Sequence, residues 1–331
     1  MRNLRPEHEI TKEWKNNPCQ PLVSISCITY NHERYIEDAL QGFLRQETDF
    51  PFEILIHDDA STDQTVNILR EYEVKYPNLI KPIYQKENQY SRGIKISATY
   101  QHPRALGKYI AMCEGDDYWT NPLKLQKQTD FLENNPDFAI CFHNMQIIYE
   151  DEPHLNRISN IKQKGITNIK TLARGNYIYT ASCIFRKNFS VFPDWYYKCP
   201  VGDYPLHLLN AQYGKIKFIN EVMGVYRVHK GGVWENTNLS YRLEEWIKML
   251  DNIRFKFDKR VNKTLNNSLN NYSFKLAIYH LRKGDYAKYE FCLTKIKNSN
   301  PIFLKKLGIL SLHLIVFFKY RLNNKSTKAT K

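Results

Sequence analysis

Short apolar runs alternate with amphipathic stretches along the first half of the chain. Each run is long enough for one buried strand, and the runs cover residues 22–29, 52–57, 80–84, 109–113 and 138–142. Apolar residues at helical spacing fill the intervening stretches, which cover 33–44, 61–75, 94–106 and 122–134. Strands that alternate with helices of this length form a sheet with helices on both faces. The pattern therefore predicts an α/β fold with a mostly parallel sheet.

The second half of the chain is less regular. The expected elements are a polar loop over 150–165, a short helix over 204–213, and strands over 178–185, over 216–219 and after Gly224. Farther on the spacing is helical, and Gly284 divides 269–283 from 285–297 as a predicted helical hairpin. The change of pattern predicts two domains, an α/β domain over 1–235 and an α-helical C-terminal region over 236–331.

Composition and charge narrow the class of protein. The chain has 331 residues, of which 42% are hydrophobic and 14% aromatic, and this apolar content excludes an intrinsically disordered chain. The formal net charge is +14, yet residues 254–331 alone carry 18 basic and 3 acidic side chains. Such asymmetry indicates an anionic partner, either nucleic acid or a membrane surface, unless the basic residues only form a solvated helical face.

The cysteines and the N-terminus bear on the compartment. Seven cysteines are scattered singly without a C-x-x-C pair, which argues against a disulfide scaffold or a structural zinc site and fits a reducing cytosol. Residues 1–18 are polar and charged, unlike a secretory signal. No apolar run reaches the roughly 18 to 20 residues of a transmembrane helix. We therefore expect a cytoplasmic protein.

Acidic side chains follow two of the predicted strands. Asp58 and Asp59 come directly after the second strand, and Glu114, Asp116 and Asp117 follow the fourth. Ligands of such sheets bind beyond the carboxyl ends of the strands, and clustered carboxylates need a compensating cation or hydrogen-bond donor. Carboxylate pairs of this kind suit Mg²⁺ or Mn²⁺. The alternative is an acidic turn that only caps the following helix.

Three segments carry a family resemblance. They are 21–31 (PLVSISCITYN), 53–63 (EILIHDDASTD) and 109–119 (YIAMCEGDDYW). In this order and spacing they resemble the motifs of the family 2 glycosyltransferases, which have the GT-A fold, and the resemblance extends over about 18–232. It implies an inverting transferase that moves a sugar from a nucleotide-diphospho-sugar, with UDP-sugars favoured, to a hydroxyl of a glycan or lipid-linked acceptor. It also implies a divalent cation, Mn²⁺ or Mg²⁺, and the synthesis of capsule, lipopolysaccharide or another cell-surface polysaccharide.

The resemblance implies roles for individual positions. The positions matched to nucleotide-sugar binding are Thr29, Tyr30, Asn31, Asp58, Asp59, Asp116 and Arg227, and those matched to metal binding are Glu114, Asp116 and His229. Asp203 is matched to the catalytic base, and Tyr118 and Trp119 are expected on the acceptor side. Structural alternatives remain for these residues, since Asp203 can cap a helix, Arg227 can lie on the surface and the two aromatic side chains can belong to the core.

At three positions the chain departs from the family pattern. Glu114 stands where the family has Asp, and its longer side chain keeps the charge. Ala60 replaces a common Gly. Gly202 stands where the family usually has Glu before the catalytic Asp. The resemblance is therefore weaker at the proposed catalytic base, Asp203, than at the strand ends.

An apolar segment over 307–318 is flanked by lysines in the basic C-terminal region. Twelve residues span about 18 Å as a helix, which is too short to cross a bilayer. We expect such a helix to lie in an anionic membrane interface, unless it packs as a buried helix. Since lipid-linked acceptors lie there, the first alternative predicts peripheral attachment to the inner face of the plasma membrane.

Two other functions remain open from the sequence. A nucleotidyltransferase acting on sugar phosphates shares an alternating fold and an acidic metal site, but residues 28–32 contain no glycine for its usual phosphate loop. A nucleic-acid-binding protein would use the basic C-terminal region. That function gives the acidic strand ends no role, and no nucleic-acid motif is recognisable, so we expect no nucleic acid among the partners.

Overall fold

The computed structural model describes residues 4–15, 20–232 and 237–299. The chain divides into two compact units, Met1–Glu235 and Asn236–Lys331. Within the described residues, the first unit contains a sheet of ten strands with helices packed on it, and the second unit consists of helices. The apolar segment predicted over 307–318 lies outside the described residues.

All strands that the structure describes belong to the first unit. In chain order they are β1 (Val23–Thr29), β2 (Phe52–Asp58), β3 (Ile80–Tyr84), β4 (Tyr109–Met112), β5 (Tyr118–Trp119), β6 (Phe138–Tyr149), β7 (Arg157–Ile158), β8 (Ile166–Thr167), β9 (Ile184–Arg186) and β10 (Lys215–Val228). Their order in the sheet is β3-β2-β1-β4-β9-β6-β10-β5, with β7 paired to β6 and β8 paired to β10.

Helices flank the sheet and form the second unit. In chain order they are α1 (Glu7–Ile10), α2 (Ile36–Leu44), α3 (Thr65–Lys75), α4 (His102–Arg104), α5 (Lys124–Asn134), α6 (Ile169–Leu172), α7 (Asp194–Tyr197), α8 (Asp203–Asn210), α9 (Leu239–Ile253), α10 (Lys259–Arg282) and α11 (Tyr286–Ser299). The helix predicted over 94–106 is a π-helical turn, Ser97–Gln101, that continues into α4.

β1 is the central strand of the parallel part of the sheet. It pairs with β2 from Val23 opposite Phe52 to Thr29 opposite Asp58, and β4 pairs with its other side, starting at Tyr109. β3 continues the parallel order beyond β2. Because these strands run parallel and in register, their carboxyl ends lie side by side at one edge of the sheet.

The rest of the sheet is mixed. The long strands β6 and β10 are parallel to each other, and β9 runs antiparallel between β4 and β6. β5, β7 and β8 form the remaining antiparallel pairs and have two residues each. The long pairings are thus parallel, which confirms the predicted mostly parallel sheet flanked by helices.

Two strand predictions differ from the structure. The apolar stretch 178–185 is interrupted by a 3-10 turn, Thr180–Ser182, so only its end belongs to a strand, β9. The two strands predicted on either side of Asn220–Glu221 are one strand, β10, whose register with β6 shifts at this point. The polar pair resembles a turn in sequence, but the ladder absorbs it as a bulge.

The core of the first unit lies between the sheet and its helices. On α2 the residues at helical spacing, among them Ile36, Leu40 and Phe43, are fully buried, as an amphipathic surface helix requires. They belong to the same apolar cluster as Ile25 of β1 and Ile54 of β2. This packing fixes the helices against the strands whose ends carry the acidic residues.

The second unit has its own apolar cluster, in which Leu243 of α9, Leu276 of α10 and Leu293 of α11 take part. Asp258 caps α10 by accepting hydrogen bonds from two backbone N–H groups. Gly284 has a φ of +75° and ends α10, as expected for a glycine between two predicted helices. None of the helices that the structure describes is both long and apolar enough to cross a membrane.

Gly42 provides a test of the packing of α2 on the sheet. A Cβ at position 42 would lie 2.8 Å from the backbone oxygen of Trp119 and 2.9 Å from its nitrogen. We expect Gly42→Ala to lower the free energy of unfolding by about 1–2 kcal/mol, because overpacking against backbone outweighs the gain of about 1 kcal/mol in helix propensity. Urea denaturation measures the change.

Gly175→Ala is the matched control, because a Cβ there would have no atom within 4 Å. This variant should unfold at the same urea concentration as the wild type or at a higher one. Equal stability of Gly42→Ala and the wild type would contradict the close packing of α2 on β5.

Candidate active site

The carboxyl ends of the strands border a cavity of about 1000 Å³. Its walls come from the segments after β1, β2, β3 and β4, the segment before β9, the start of α8 and the end of β10. Among the residues that line it are Thr29, Tyr30, His32, Asp59, Tyr90, Glu114, Asp116, Asp117, Asn176, Tyr179, Asp203 and Arg227. The structure therefore brings the acidic strand ends and the candidate base to one cavity.

The loop after β4 lies directly on the end of β1. The Gly115 N–H donates to the Ile28 oxygen at 2.9 Å, and a Cβ at position 115 would lie 2.7 Å from Oγ1 of Thr29. Thr29 is 1% exposed. Thr29 therefore packs against the acidic loop. The contact of Thr29 with a nucleoside stays a prediction.

Asn31 and Asp58 hold the two neighbouring loops together. Asn31 has a φ of +54°, and its Oδ1 accepts from the Thr62 N–H at 2.8 Å. Asp58 is fully buried and accepts from the N–H and the hydroxyl of Ser61 at 3.0 and 2.5 Å. Ala60 has a φ of +64°, in the left-handed region that glycine favours. The side chains of Asn31 and Asp58 thus stabilise the two loops. Burial raises the pKa of Asp58.

Asp59 fixes the segment after β3. One carboxylate oxygen accepts from the Gln89 N–H at 2.7 Å, and the other accepts from the Tyr90 N–H at 3.0 Å. His57 Nε2 lies 3.5 Å from the same carboxylate, which is 1% exposed. Because both oxygens bind backbone donors, Asp59 positions the segment that places Tyr90 at the cavity.

Asp116 faces two imidazole rings. Its Oδ2 lies 3.2 Å from Nε2 of His229 and 3.6 Å from Nε2 of His32. Burial acts to raise the pKa of Asp116, but the hydrogen bond with His229 and the charge of His32 leave it below the usual range. An ionised carboxylate next to imidazole nitrogens is a donor set that fits a divalent cation.

Glu114 interacts with the opposite wall of the cavity. Burial, and then the charges of Asp116 and Asp203, raise the pKa of Glu114 to about 8. Burial also raises the pKa of Asp117 well above its usual range, and Oδ1 of this residue accepts from the Arg227 N–H at 2.9 Å.

The three side chains predicted from sequence to bind a metal do not form one cluster in the structure. Asp116 and His229 are in contact, whereas the half-buried Glu114 is influenced by the charge of Asp203 on the opposite wall. Within 4–15, 20–232 and 237–299, no three His, Cys, Asp or Glu side chains are arranged to enclose a metal ion by themselves. Metal binding by Glu114, Asp116 and His229 stays a prediction.

Arg227 contacts several protein groups. Its Nη1 donates to the Asp116 backbone oxygen at 2.7 Å, and its Nη2 forms an ion pair with Asp38. The guanidinium lies over the rings of Tyr118 at 4.3 Å and Tyr35 at 5.2 Å. Only 10% of the side chain is exposed. These contacts hold the acidic loop in place, and a grip on the donor's diphosphate stays a prediction.

The two aromatic residues predicted on the acceptor side are placed differently. Tyr118 packs on the Arg227 guanidinium. Trp119 is 3% exposed, donates from its indole N–H to the Ala181 oxygen at 2.8 Å and packs against Phe43. Neither of them lines the cavity. The structure therefore corrects the expectation for Trp119, whose burial favours core packing, the alternative that its sequence left open.

Asp203 begins α8 at the far wall of the cavity. Its Oδ2 accepts from Nδ2 of Asn176 at 2.9 Å. The Ile178 N–H donates to Oδ1 of Asn176 at 3.1 Å, which fixes the amide so that its N–H groups face Asp203. Burial raises the pKa of Asp203. The group is therefore an oriented carboxylate with an elevated pKa.

Sequence reasoning missed His32, Asn176 and Tyr35. His32 follows the end of β1 by three positions, so the rule that ligands bind beyond strand ends was a usable signal for it. Asn176 lies in an irregular segment, and no local pattern connects it with Asp203. Tyr35 joins the site only through tertiary contacts with Arg227 and His229, whose ring centroid lies 4.5 Å from that of Tyr35.

Similar proteins are known in sequence. A protein of Mycobacterium tuberculosis without an assigned function is 39% identical over 224 residues, which cover 65% of this chain and 61% of that protein. TuaG of Bacillus subtilis, named as a teichuronic acid biosynthesis glycosyltransferase, is 34% identical over 138 residues, which cover 42% of this chain and 52% of TuaG. The chain thus spans about three fifths or less of the length of these relatives.

Solved structures share the fold at low sequence identity. The mannosyltransferase PcManGT from Pyrobaculum calidifontis, in complex with GDP-Man and Mn²⁺, superposes with a TM-score of 0.56 at 16% identity, over 93% of this chain and 85% of that one. S. aureus TarS 1–349 with UDP-GlcNAc gives a TM-score of 0.53 at 17% identity, over 83% of this chain and 91% of that one.

The family model for glycosyl transferase family 2 matches residues 24–192, which is more than half of the chain. The match contains β1, β2 and β4 together with the acidic residues that follow them. With its mostly parallel sheet and its acidic strand ends, the chain belongs to glycosyl transferase family 2 and has a GT-A fold.

Proposed function

We propose that this chain is an inverting, metal-dependent glycosyltransferase that moves a sugar from a nucleotide-diphospho-sugar to a hydroxyl of a glycan or lipid-linked acceptor. The proposal depends above all on the observation that Asp116 and Asp203 line the same cavity. One carboxylate lies beside two imidazoles and suits a cation that would bind the donor's diphosphate, and the other is oriented by an amide and suits the acceptor's proton. Family membership supports the reaction class.

We assign the donor's nucleoside to the part of the cavity between Tyr30 and Tyr90. The Tyr30 ring is 43% exposed, so its face is available for stacking on a base. Asp59 holds the opposing segment through Gln89 and Tyr90. We favour a UDP-sugar, a donor class that TarS binds as UDP-GlcNAc, whereas PcManGT binds GDP-Man.

We assign the diphosphate to the side of the cavity with Asp116. A bound divalent cation, Mn²⁺ or Mg²⁺, would neutralise the charge that develops on the leaving diphosphate. Asp116 and His229 fit this group, because an ionised carboxylate and an imidazole nitrogen lie within 3.2 Å of each other at the cavity. Arg227 contributes by holding the backbone of Asp116 in place.

Asp203 is the proposed base. In a single displacement the acceptor oxygen bonds to the anomeric carbon while the nucleoside diphosphate leaves from the opposite face, so the configuration inverts. The proton of the acceptor hydroxyl passes to Asp203. Burial brings the pKa of Asp203 closer to the working pH, and Asn176 keeps one carboxylate oxygen fixed by a hydrogen bond of 2.9 Å.

The product is proposed to be a cell-surface polysaccharide. TuaG, which shares 34% identity with this chain over 138 residues, is named for teichuronic acid biosynthesis. The sequence resemblance to envelope-polysaccharide enzymes leads in the same direction.

The second unit is proposed to attach the enzyme to the inner face of the plasma membrane. The support is the charge of residues 254–331, which carry 18 basic and 3 acidic side chains. An anionic lipid surface attracts such a region, with about 1 kcal/mol per basic residue near the surface.

Asp59→Asn tests the nucleoside site. The new NH₂ group cannot accept a hydrogen bond, so one buried backbone N–H of Gln89 or Tyr90 loses its partner at a cost of about 1–3 kcal/mol. The segment that carries Tyr90 then loosens, and we expect UDP to bind roughly tenfold more weakly, as measured by isothermal titration calorimetry. Glu87→Gln is the control, because Glu87 lies in the same segment with a side chain that is 70% exposed. Unchanged UDP affinity in Asp59→Asn would disprove this assignment.

Asp203→Asn tests the proposed base. The amide cannot take a proton, so we expect transfer to fall by about 10² or more while the dissociation constant of the donor stays nearly the same. Release of nucleoside diphosphate from UDP- and GDP-sugars with Mn²⁺ measures turnover, and calorimetry measures binding. Asp194→Asn is the control, since Asp194 is exposed and also begins a helix, α7.

The pH dependence gives a second check on Asp203. The base works in its ionised form, so the rate falls as the pH drops through its pKa, which burial raises above 3.8. The acid limb of the profile should therefore lie at a higher pH than that of an ordinary aspartate. Full turnover in Asp203→Asn would show that Asp203 is not the catalytic base.

Vesicle flotation tests the membrane proposal. The whole chain should float with vesicles that contain an anionic phospholipid, and a chain that ends at Asn300 should float less, because it lacks seven of the 18 basic residues and the apolar segment over 307–318. Neutral vesicles are the control for charge. Equal flotation of both chains would refute a membrane role for residues 301–331.

A further inference from the structure

His32 is a cavity residue that the sequence motifs do not explain. It lies just after β1, lines the cavity, and its side chain is 15% exposed. Its Nε2 is 3.6 Å from Oδ2 of Asp116, and Nε2 of His229 is 3.2 Å from the same oxygen. Two imidazoles from different parts of the chain therefore converge on one carboxylate oxygen.

Hydrogen bonding does not account for this position of His32. A distance of 3.6 Å between nitrogen and oxygen exceeds that of a normal hydrogen bond. The other ring nitrogen, Nδ1, is buried and has no hydrogen-bond partner among the described residues. In the tautomer whose proton is on Nδ1, the lone pair of Nε2 faces Asp116, and a cation between the two atoms would remove their repulsion.

The distances come close to those of a shared cation. Neighbouring ligand atoms around a metal ion bound at about 2.1 Å lie about 3 Å apart. The two nitrogen–oxygen distances of 3.2 and 3.6 Å exceed this by a few tenths of an ångström. The side chains have to move together to bind one ion, since the described residues form no complete three-ligand site as they stand.

The surroundings restrict both rings to this region. Tyr35 packs beside both of them, with its ring centroid 4.5 Å from that of His229 and 6.3 Å from that of His32, and the two imidazole centroids are 6.4 Å apart. A Cβ at position 115 would lie 3.0 Å from Nδ1 of His32, so the glycine lets the ring approach the acidic loop. The Arg227 side chain holds the Asp116 backbone on the other side.

We propose that His32 is the third protein ligand, with Asp116 and His229, of the divalent cation at this site. The inference rests on the proposed function and specifies its metal site. Glu114 then lies outside the ligand set, which consists of the three side chains that meet at Oδ2 of Asp116. Two imidazoles and one carboxylate favour transition metals, so the site should select Mn²⁺ or Co²⁺ over Mg²⁺, which prefers oxygen ligands.

Binding of Mn²⁺ to the purified full-length chain tests the proposal without turnover. Isothermal titration calorimetry should give a dissociation constant roughly tenfold or more higher for His32→Ala than for the wild type. His154→Ala, at an exposed histidine, is the control and should bind as the wild type does. Asp116→Asn is the variant in which we expect Mn²⁺ binding to be lost. Thermal unfolding of each metal-free variant shows whether it is folded.

Electron spin-echo spectroscopy of bound Mn²⁺ counts the coordinating imidazoles. We expect couplings from two ¹⁴N nuclei in the wild type and from one in His32→Ala and in His229→Ala. If His32→Ala keeps both the affinity and two nitrogen couplings while Asp116→Asn loses Mn²⁺, then His32 is not a ligand and the proposed function stands. If Asp116→Asn binds Mn²⁺ like the wild type, the proposed metal site itself is wrong.

Discussion

The site depends on a contact between two strand ends. Gly115 lets the loop after β4 lie against Thr29, where a side chain would meet Oγ1 at 2.7 Å, and its N–H donates to the Ile28 oxygen. Because β1 and β4 are parallel neighbours, this contact sets the height of Glu114 and Asp116 above the sheet edge. The remaining groups of the cavity are arranged around that fixed loop, from Asp59 on one side to Asp203 on the other.

A second layer of interactions maintains the charges in the site. Arg227 binds the Asp116 backbone, Asp38 and two aromatic rings at once. With 10% of its side chain exposed, it provides positive charge beside an acidic loop without being available to solvent. Clustered carboxylates repel one another, so such a cation lowers the cost of keeping them together. Burial, and then the charges of neighbouring carboxylates, still raise the pKa of Glu114 and of Asp117.

Much of the fold followed from local sequence patterns. Strands β1 to β4 were predictable because each is a short apolar run, and the acidic residues that follow two of them carry the family motifs. The π-helical turn at Ser97–Gln101 was not predictable. It depends on the Gln101 amide, which donates to the backbone oxygens of Cys27 and Leu55 on two neighbouring strands. Contacts of this kind exist only in the assembled sheet.

The candidate site followed from sequence only in part. Residues directly after strands, such as Asp59 and Asp116, were accessible to the strand-end rule. The burial of Trp119 was not, because its neighbour in sequence, Tyr118, packs on Arg227 while Trp119 itself faces Phe43 and Ala181. The amide of Asn176 that orients Asp203 is 27 residues away in sequence, and only the folded chain brings the two together.

The hydrogen bond between Gly231 and His229 limits the tautomer of this imidazole. The Gly231 N–H donates to Nδ1 at 3.2 Å, so the proton of a neutral His229 is on Nε2, toward Asp116. An Nε2 that coordinates a cation carries no proton, and Nδ1 must then hold it and can no longer accept from Gly231. Coordination and this backbone contact are therefore mutually exclusive for neutral His229. Binding of the proposed cation through His229 would therefore release Gly231 from this contact and link the proposed site to the glycine pair that follows β10.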